Sequence, residues 1–157
     1  MARWVGNIKK TGLRLQFFIM NNGAILKDFI EQVWNKKDFA AVELFVDEAY
    51  TVYRDNGDPW EGKTISQDEY KIRLRYSFDS FPDMHFAIQS SVADGDLVAV
   101  TWILTGTNLG NIGDIAPTQK KIETFGTTIY QLKNGKVCGH TQVFDRTTVM
   151  KQLGFLS

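Results

Sequence analysis

Apolar positions recur along this chain with two periods, every second residue and every third or fourth. The changes between them mark its elements. Alternation is plainest near the end. Ile122–Leu132 and Val137–Asp145 are rich in β-branched and aromatic residues and flank Asn134-Gly135, the pair that most readily supplies the two positive φ angles of a type I′ turn. A two-residue turn sets Leu132 opposite Val137, Tyr130 opposite Gly139 and Thr124 opposite Asp145. One face of the predicted hairpin then carries Leu132, Tyr130, Thr128 and Thr124 with Val137, Thr141, Val143 and Asp145. The other carries Gln131, Ile129, Thr127 and Phe125 with Cys138, His140, Gln142 and Phe144. Neither face is polar enough to be left wet, so both are expected to be covered. A bulge past Gly139 would exchange the faces of the far end, Asp145 included. After Asp145 the period lengthens. Val149, Met150 and Leu153 fall on one side of a helix, and Gly154 sits where it should stop.

The helical period also opens the chain. Asn21 or Asn22 is placed to cap a helix with Leu26, Phe29, Ile30, Val33 and Trp34 on its apolar side. Asp38 can cap a second, short helix that buries Phe39, Val42, Leu44 and Phe45. Tyr50–Tyr53 reads as a short strand, and residues 54–62 as a loop broken by Asn56-Gly57 and Asp58-Pro59. Ser66 and Glu69 form a capping box, in which each side chain bonds the other's backbone N–H. The helix they open carries Tyr70, Leu74, Phe78 and Phe81 and stops at Pro82. Met84–Leu104 is a second hairpin turning at Asp94-Gly95-Asp96. Of its two possible registers, the one with a bulge and a longer loop places Val98, Val100 and Trp102 beside Met84, Phe86 and Ile88, and is preferred as the more apolar. Residues 106–121 are read either as a flap over a pocket or as an ordinary connection. Helices followed by long antiparallel strands make an α+β domain, helices packed on one face of a sheet.

Composition narrows the possibilities. The chain has 157 residues, about one domain's worth. Eighteen basic residues balance eighteen acidic ones, which leaves no electrostatic footprint for nucleic acid or an anionic membrane. No run approaches the roughly 20 apolar residues of a membrane span. The single cysteine, Cys138, excludes an internal disulfide and fits a reducing compartment, so a cytoplasmic location is expected. Leu15–Met20 is too short for a secretory signal, which needs about 7–15 apolar residues and a small-residue cleavage site. Residues 1–19 are expected to be an extension to a single domain over residues 20–157, with Met20 an alternative start.

With these motifs in place the chain resembles the SnoaL-like polyketide (ester) cyclases of the nuclear transport factor 2-like superfamily. The family pattern Phe-Pro-Asp-aliphatic-His is matched by Phe81–His85, and its acidic-Gly-Asp turn by Asp94–Asp96. Its Arg/Thr-Trp-x-x-x-Gly-Thr is matched by Thr101–Thr107, and its Gly-Ile-Pro-Pro-Thr-Gly loop is echoed by Asp114–Gln119. Its ending, a histidine five residues before an aspartate and then Gln-Leu-Gly, is echoed by His140, Asp145 and Gln152–Gly154. The resemblance covers about residues 22–155. It implies a cone in which helices pack on a strongly curved, mainly antiparallel sheet enclosing a pocket. It also implies an intramolecular aldol ring closure without metal or organic cofactor. An aspartate at the position of Asp145 would remove a proton beside a carbonyl and return one to the new alkoxide. Three departures bear on the substrate. The family's usual tryptophan is Thr141, a frequent histidine is Asn108, and the histidine common after the first short strand is absent, with Tyr53 the nearest polar group.

Expected roles follow. Asp145 is either the acid/base or the cap of the last helix, or both. His85 is a candidate catalytic contact, or a satisfied histidine at a strand start. Tyr53, Trp102, Asn108, Tyr130 and Thr141 are expected around the substrate. In the register above His140 faces away from Asp145, so it is assigned to packing at a dimer interface or to a backbone hydrogen bond. Two separated histidines without a cysteine cluster argue against a metal site. The expected function is a cofactor-independent cyclase, isomerase or lyase acting on a small hydrophobic carbonyl compound such as a polyketide ester. The alternative is a non-catalytic domain that binds a ligand or dimerises. A homodimer is expected through the apolar outer face of the last hairpin, Phe125, Ile129 and Phe144.

Overall fold

The computed structural model describes residues 21–157. The extension expected over residues 1–19 lies outside the described residues. Helix α1, Asn22–Phe29, starts where Asn21 Oδ1 accepts from the Ala24 N–H at 2.8 Å. It widens into a π-helical segment, Ile30–Asn35. Helix α2, Ala41–Phe45, follows. Its Leu44 is 71% exposed instead of buried, because in so short a helix Ala41 and Val42 already face the core. Strand β1, Val46–Asp55, is longer than the expected Tyr50–Tyr53, and β2, Thr64–Ile65, pairs with it. Helix α3, Gln67–Ser80, begins at the expected capping box. The hairpins are β3, His85–Asp94, with β4, Leu97–Thr107, and β5, Lys121–Lys133, with β6, Lys136–Phe144. Helix α4, Arg146–Leu153, ends at Gly154, whose φ is 89°.

The six strands form one curved sheet in the order β2-β1-β6-β5-β4-β3. Neighbours are antiparallel except β1 and β6, which run parallel. The helices pack on its concave face. Phe29 and Val33, with Leu74 of α3, meet Val98, Val100, Tyr130, Leu132 and Val137 of the sheet in one core. Edge-to-face aromatic pairs run through it, Phe29 to Tyr130 at 5.7 Å and Trp34 to Phe86 at 5.4 Å between centroids.

Two registers set the inner face. In β3–β4 the loop is only Gly95-Asp96, and the irregularity lies at Gln89 in β3. The preferred inner set of Val98, Val100 and Trp102 is nevertheless the one buried. In β5–β6 Asn134 and Gly135 take φ 52° and 77°, as a type I′ turn requires. Leu132 pairs with Val137, but Gln131 then pairs with Gly139, which leaves Cys138 as an extra residue. This bulge precedes Gly139 and reverses the expected faces of all that follows. His140 stands opposite Tyr130, Gln142 opposite Thr128 and Phe144 opposite Gly126, all on the concave side. Val143, 67% exposed, therefore takes the outer position expected for Phe144, beside Phe125 and Ile129. Among the described residues no helix is long and apolar enough to cross a membrane.

Candidate active site

Between the helices and the concave face lies a cavity of about 190 Å³. Its apolar wall comes from Trp34, Phe81, Met84, Phe86, Trp102, Leu104 and Phe144, with Ile112 from the β4–β5 loop. The Trp102 indole reaches over β5 only because Gly126 has no side chain. A Cβ there would overlap the indole and the Cβ of Phe144. The Trp102 N–H donates to Thr128 Oγ1 at 2.8 Å, and that hydroxyl donates to Gln142 Oε1 at 2.9 Å, so the wall is tied to the polar end.

The polar end is built around Asp55, the last residue of β1. Its carboxylate is buried and accepts from four groups. Arg73 Nη2 lies 3.1 Å from Oδ2, Gln142 Nε2 3.2 Å and His140 Nε2 3.4 Å, while Arg146 Nη2 lies 3.1 Å from Oδ1. Asp58 reaches the same cluster through the turn at Gly57, where φ is 86°, and binds Arg73 Nε at 2.9 Å. Burial pushes the Asp55 carboxyl up, but the His140 contact and the Arg73 and Arg146 charges more than reverse it, so it lies below the usual carboxylate range. Burial lowers His140 further than the neighbouring aspartates raise it, so its imidazole is neutral at pH 7. An ionised carboxylate only accepts, so Nε2 bears the hydrogen. Nδ1 is then free to accept from the Tyr50 hydroxyl, 2.7 Å away. Tyr50 is buried and held protonated by that burial. The result is a hydroxyl, an imidazole and a carboxylate in series, with all three residues in the cavity wall.

The expected site residues divide. Trp102 and Tyr130 line the cavity. The others lie away from it. Asp145 is exposed and caps α4, Oδ1 accepting from the Thr148 N–H at 2.9 Å and Oδ2 from its hydroxyl at 2.6 Å. Those bonds hold its carboxyl below the usual range, the opposite of what a proton-abstracting carboxylate needs. The cap is thus the role its position supports. His85 is exposed at the start of β3. Tyr53 points out of the sheet and donates to Gln131 Oε1 at 2.8 Å. Thr141 pairs with Ile129, on the outer face. Asn108 is fully buried, but as the staple of the β4–β5 loop. Its Nδ2 donates to Ser80 O and Gly110 O, and its Oδ1 accepts from the Thr118 N–H. His140, assigned from sequence to the outer face, is turned into the cavity by the Cys138 bulge.

Of Asp55, Asp58 and Arg73, only Arg73 carries a signal in the sequence. Arg73 sits on the apolar stripe of α3, between Tyr70 and Leu74, and a cation on a buried stripe requires buried carboxylate partners. Asp55 and Asp58 flank a turn, which alone marks them as surface residues. Among the described residues no group of three His, Cys, Asp or Glu side chains is placed to hold a metal ion.

No curated protein matches the chain. A solved structure from Acidithiobacillus ferrooxidans, described as a candidate polyketide cyclase, is 36% identical. It covers 88% of this chain and 99% of its own, with a TM-score of 0.80. IdmH of Streptomyces antibioticus, also described as a candidate polyketide cyclase, is 19% identical over 86% of this chain and 99% of its own, with a TM-score of 0.71. AclR of Streptomyces galilaeus, described as a candidate hydroxylase, shares the fold at 21% identity and a TM-score of 0.71, over 86% of this chain and 82% of its own. The sequence profile of the SnoaL-like polyketide cyclases matches residues 24–153. A profile that takes in both hairpins, α3 and α4, together with a relative of this identity over nearly the whole domain, makes the chain a member of the SnoaL-like polyketide cyclase family.

Proposed function

We propose that the protein abstracts a proton beside a carbonyl in a small, largely apolar compound and so promotes an intramolecular aldol-type ring closure or a related isomerisation. The observation that carries this is the Tyr50–His140–Asp55 series at the polar end of a cavity whose remaining wall is largely apolar. As the substrate's α-carbon gives its proton to the Tyr50 oxygen, the hydroxyl proton passes to His140 Nδ1. Asp55 stabilises the imidazolium that forms. The enolate carbon then attacks the second carbonyl of the same molecule, and the proton returns along the same path to the new alkoxide. The acid/base role expected of Asp145 thus falls to residues in the cavity.

The cavity volume bears on the substrate. Sites for drug-sized ligands run to about 300–1,000 Å³, and this one is about 190 Å³. One ring or a short chain suits it better than a fused polycycle. Asp55 and Asp58 are matched by Arg73 and Arg146, so the polar end carries no net charge with His140 neutral and favours a neutral substrate.

Deuterium uptake at the α-carbon of small ketones and β-keto esters in D2O, followed by NMR, tests the chemistry without knowledge of the natural substrate. The wild type should accelerate exchange. His140→Gln and Tyr50→Phe should each lose about 100-fold or more, the usual worth of a positioned acid/base, while Asp145→Asn should not. Undiminished exchange in His140→Gln would overturn the reading and favour a domain that only binds a ligand. We further propose that two copies pair through the exposed outer face of Phe125, Ile129 and Val143.

A further inference from the structure

Two arginines bind Asp55, and they are built differently. The Arg73 side chain is 7% exposed and lies between two carboxylates, its Nη2 3.1 Å from Asp55 Oδ2 and 2.8 Å from Asp58 Oδ2. The Arg146 side chain is 43% exposed and meets one carboxylate among the described residues, its Nη2 3.1 Å from Asp55 Oδ1. An ion pair open to water on one side contributes little to stability. Asp55 also has Arg73, Gln142 and His140 on Oδ2 whether or not Arg146 is in place. Satisfying the buried carboxylate is therefore not reason enough for the second arginine.

Arg146 is the first residue of α4, so its backbone is fixed by the Asp145 cap. From there the side chain crosses Phe144, with Cζ 4.3 Å from the ring centroid, and ends over Gly57, where a Cβ would lie 3.5 Å from Cζ. It forms a strap from α4 to the β1–β2 loop. The cavity adjoins a second hollow, of about 210 Å³, and Asp55, Gln142, Phe144 and Arg146 line both. Residues that line two neighbouring hollows stand between them. Asp55, Gln142 and Phe144 belong to strands β1 and β6, whereas Arg146 closes the gap with an exposed side chain alone. Beyond it the outer hollow is bordered by Asn56 and Thr147, both exposed. Sites for drug-sized ligands run to about 300–1,000 Å³, a range that neither hollow reaches alone and the two reach together.

We infer that Arg146 is a specificity-determining residue: it sets the length of substrate the protein accepts, by closing the inner cavity off from an outer hollow that would otherwise continue it. With the strap in place the substrate is a short, uncharged carbonyl compound held wholly on the inner side. This rests on the carbonyl reading of the cavity, and it is tested by binding so that the two can fail separately. The probes are straight-chain 2-alkanones from 2-butanone to 2-decanone, titrated by ligand-observed NMR. In the wild type affinity should rise about fourfold for each methylene buried, the equivalent of the transfer value of one CH2. It should level off once the inner cavity is full, because the next carbon meets the guanidinium. In Arg146→Ala the rise should continue for several more carbons. Arg146→Met keeps the bulk without the charge and should level off close to the wild-type length. Thr147→Trp fills the outer hollow from its exposed border, so adding it to Arg146→Ala should bring the limit back. A wild type with no limit, Arg146→Ala with the wild-type limit, or a double variant as permissive as Arg146→Ala would overturn the inference. So would Arg146→Met behaving as Arg146→Ala, which would assign the effect to the charge beside Asp55. If no 2-alkanone binds, this inference and the carbonyl reading fall together. A limit that moves as expected in a protein without deuterium exchange would support the role of Arg146 and strike only at the proton path.

Discussion

Cys138 adds one residue to β6, and that residue decides on which side of the sheet the chemistry sits. Strands alternate with a period of two, so a single insertion turns every later side chain over. His140 and Gln142 owe their places in the cavity to it. Gly126 acts at the same scale. It leaves room for Trp102, and Gly126→Ala should cost about 1–3 kcal/mol by overpacking, measured by urea unfolding. Asp145 separates structure from catalysis. Asparagine caps as well as aspartate and alanine does not. Asp145→Asn should keep both Tm and exchange activity, while Asp145→Ala should lower Tm and leave activity per folded molecule unchanged. A large loss of exchange in Asp145→Asn would return the acid/base role to that residue.

At the scale of elements, the pattern of apolar residues was a dependable guide wherever one face alone meets the core. Tyr70, Leu74 and Phe78 on α3, the capping box before it and the Asn-Gly turn all stand as their local chemistry requires. What escaped was the charge inside the stripe. Arg73 binds Asp55 and Asp58 at 3.1 and 2.8 Å and is itself buried. Removing one member of such a network strands the others. Arg73→Ala should therefore cost about 3–5 kcal/mol, seen as a lower denaturation midpoint, whereas a purely peripheral arginine would cost far less. The β4–β5 loop was legible only as two alternatives. Asn108 and Ser80 hold its base, and Ile112 lies in the cavity wall, so it belongs to the site.

For the whole molecule, burial of a neutral histidine makes stability depend on pH. Unfolded His140 takes up a proton near pH 6.5, the ordinary histidine value, while the folded protein resists until a lower pH. Between those two points the unfolded state binds more protons, so stability rises with pH. The His140 contribution is thus fully present above about pH 6.5 and is lost as pH falls through the folded value. Asp55, lowered from 3.8, loses its contribution in a separate window further down. Chemical denaturation between pH 5 and 7.5 should show the slope in the wild type and a flatter profile in His140→Gln. An equal slope in both would place the titration elsewhere. The outer face makes a separate prediction. Sedimentation should show a dimer, and Ile129→Lys should shift it toward monomer with the cavity chemistry intact. A wild-type monomer at working concentrations would rule this pairing out.

Local physics determines much of this protein from its sequence. Helix caps, the type I′ turn, the apolar stripes and the helix-then-hairpin order follow from interactions between residues close along the chain. Together with the family motifs they define the fold. The site is set by residues distant in sequence. Asp55, Arg73, His140 and Arg146 meet only because β1 lies parallel beside β6 under α3. Their charges are tolerable only because each is buried against the others. No periodicity records such a meeting, and one bulged residue was enough to turn His140 from the outer face into the wall of the cavity.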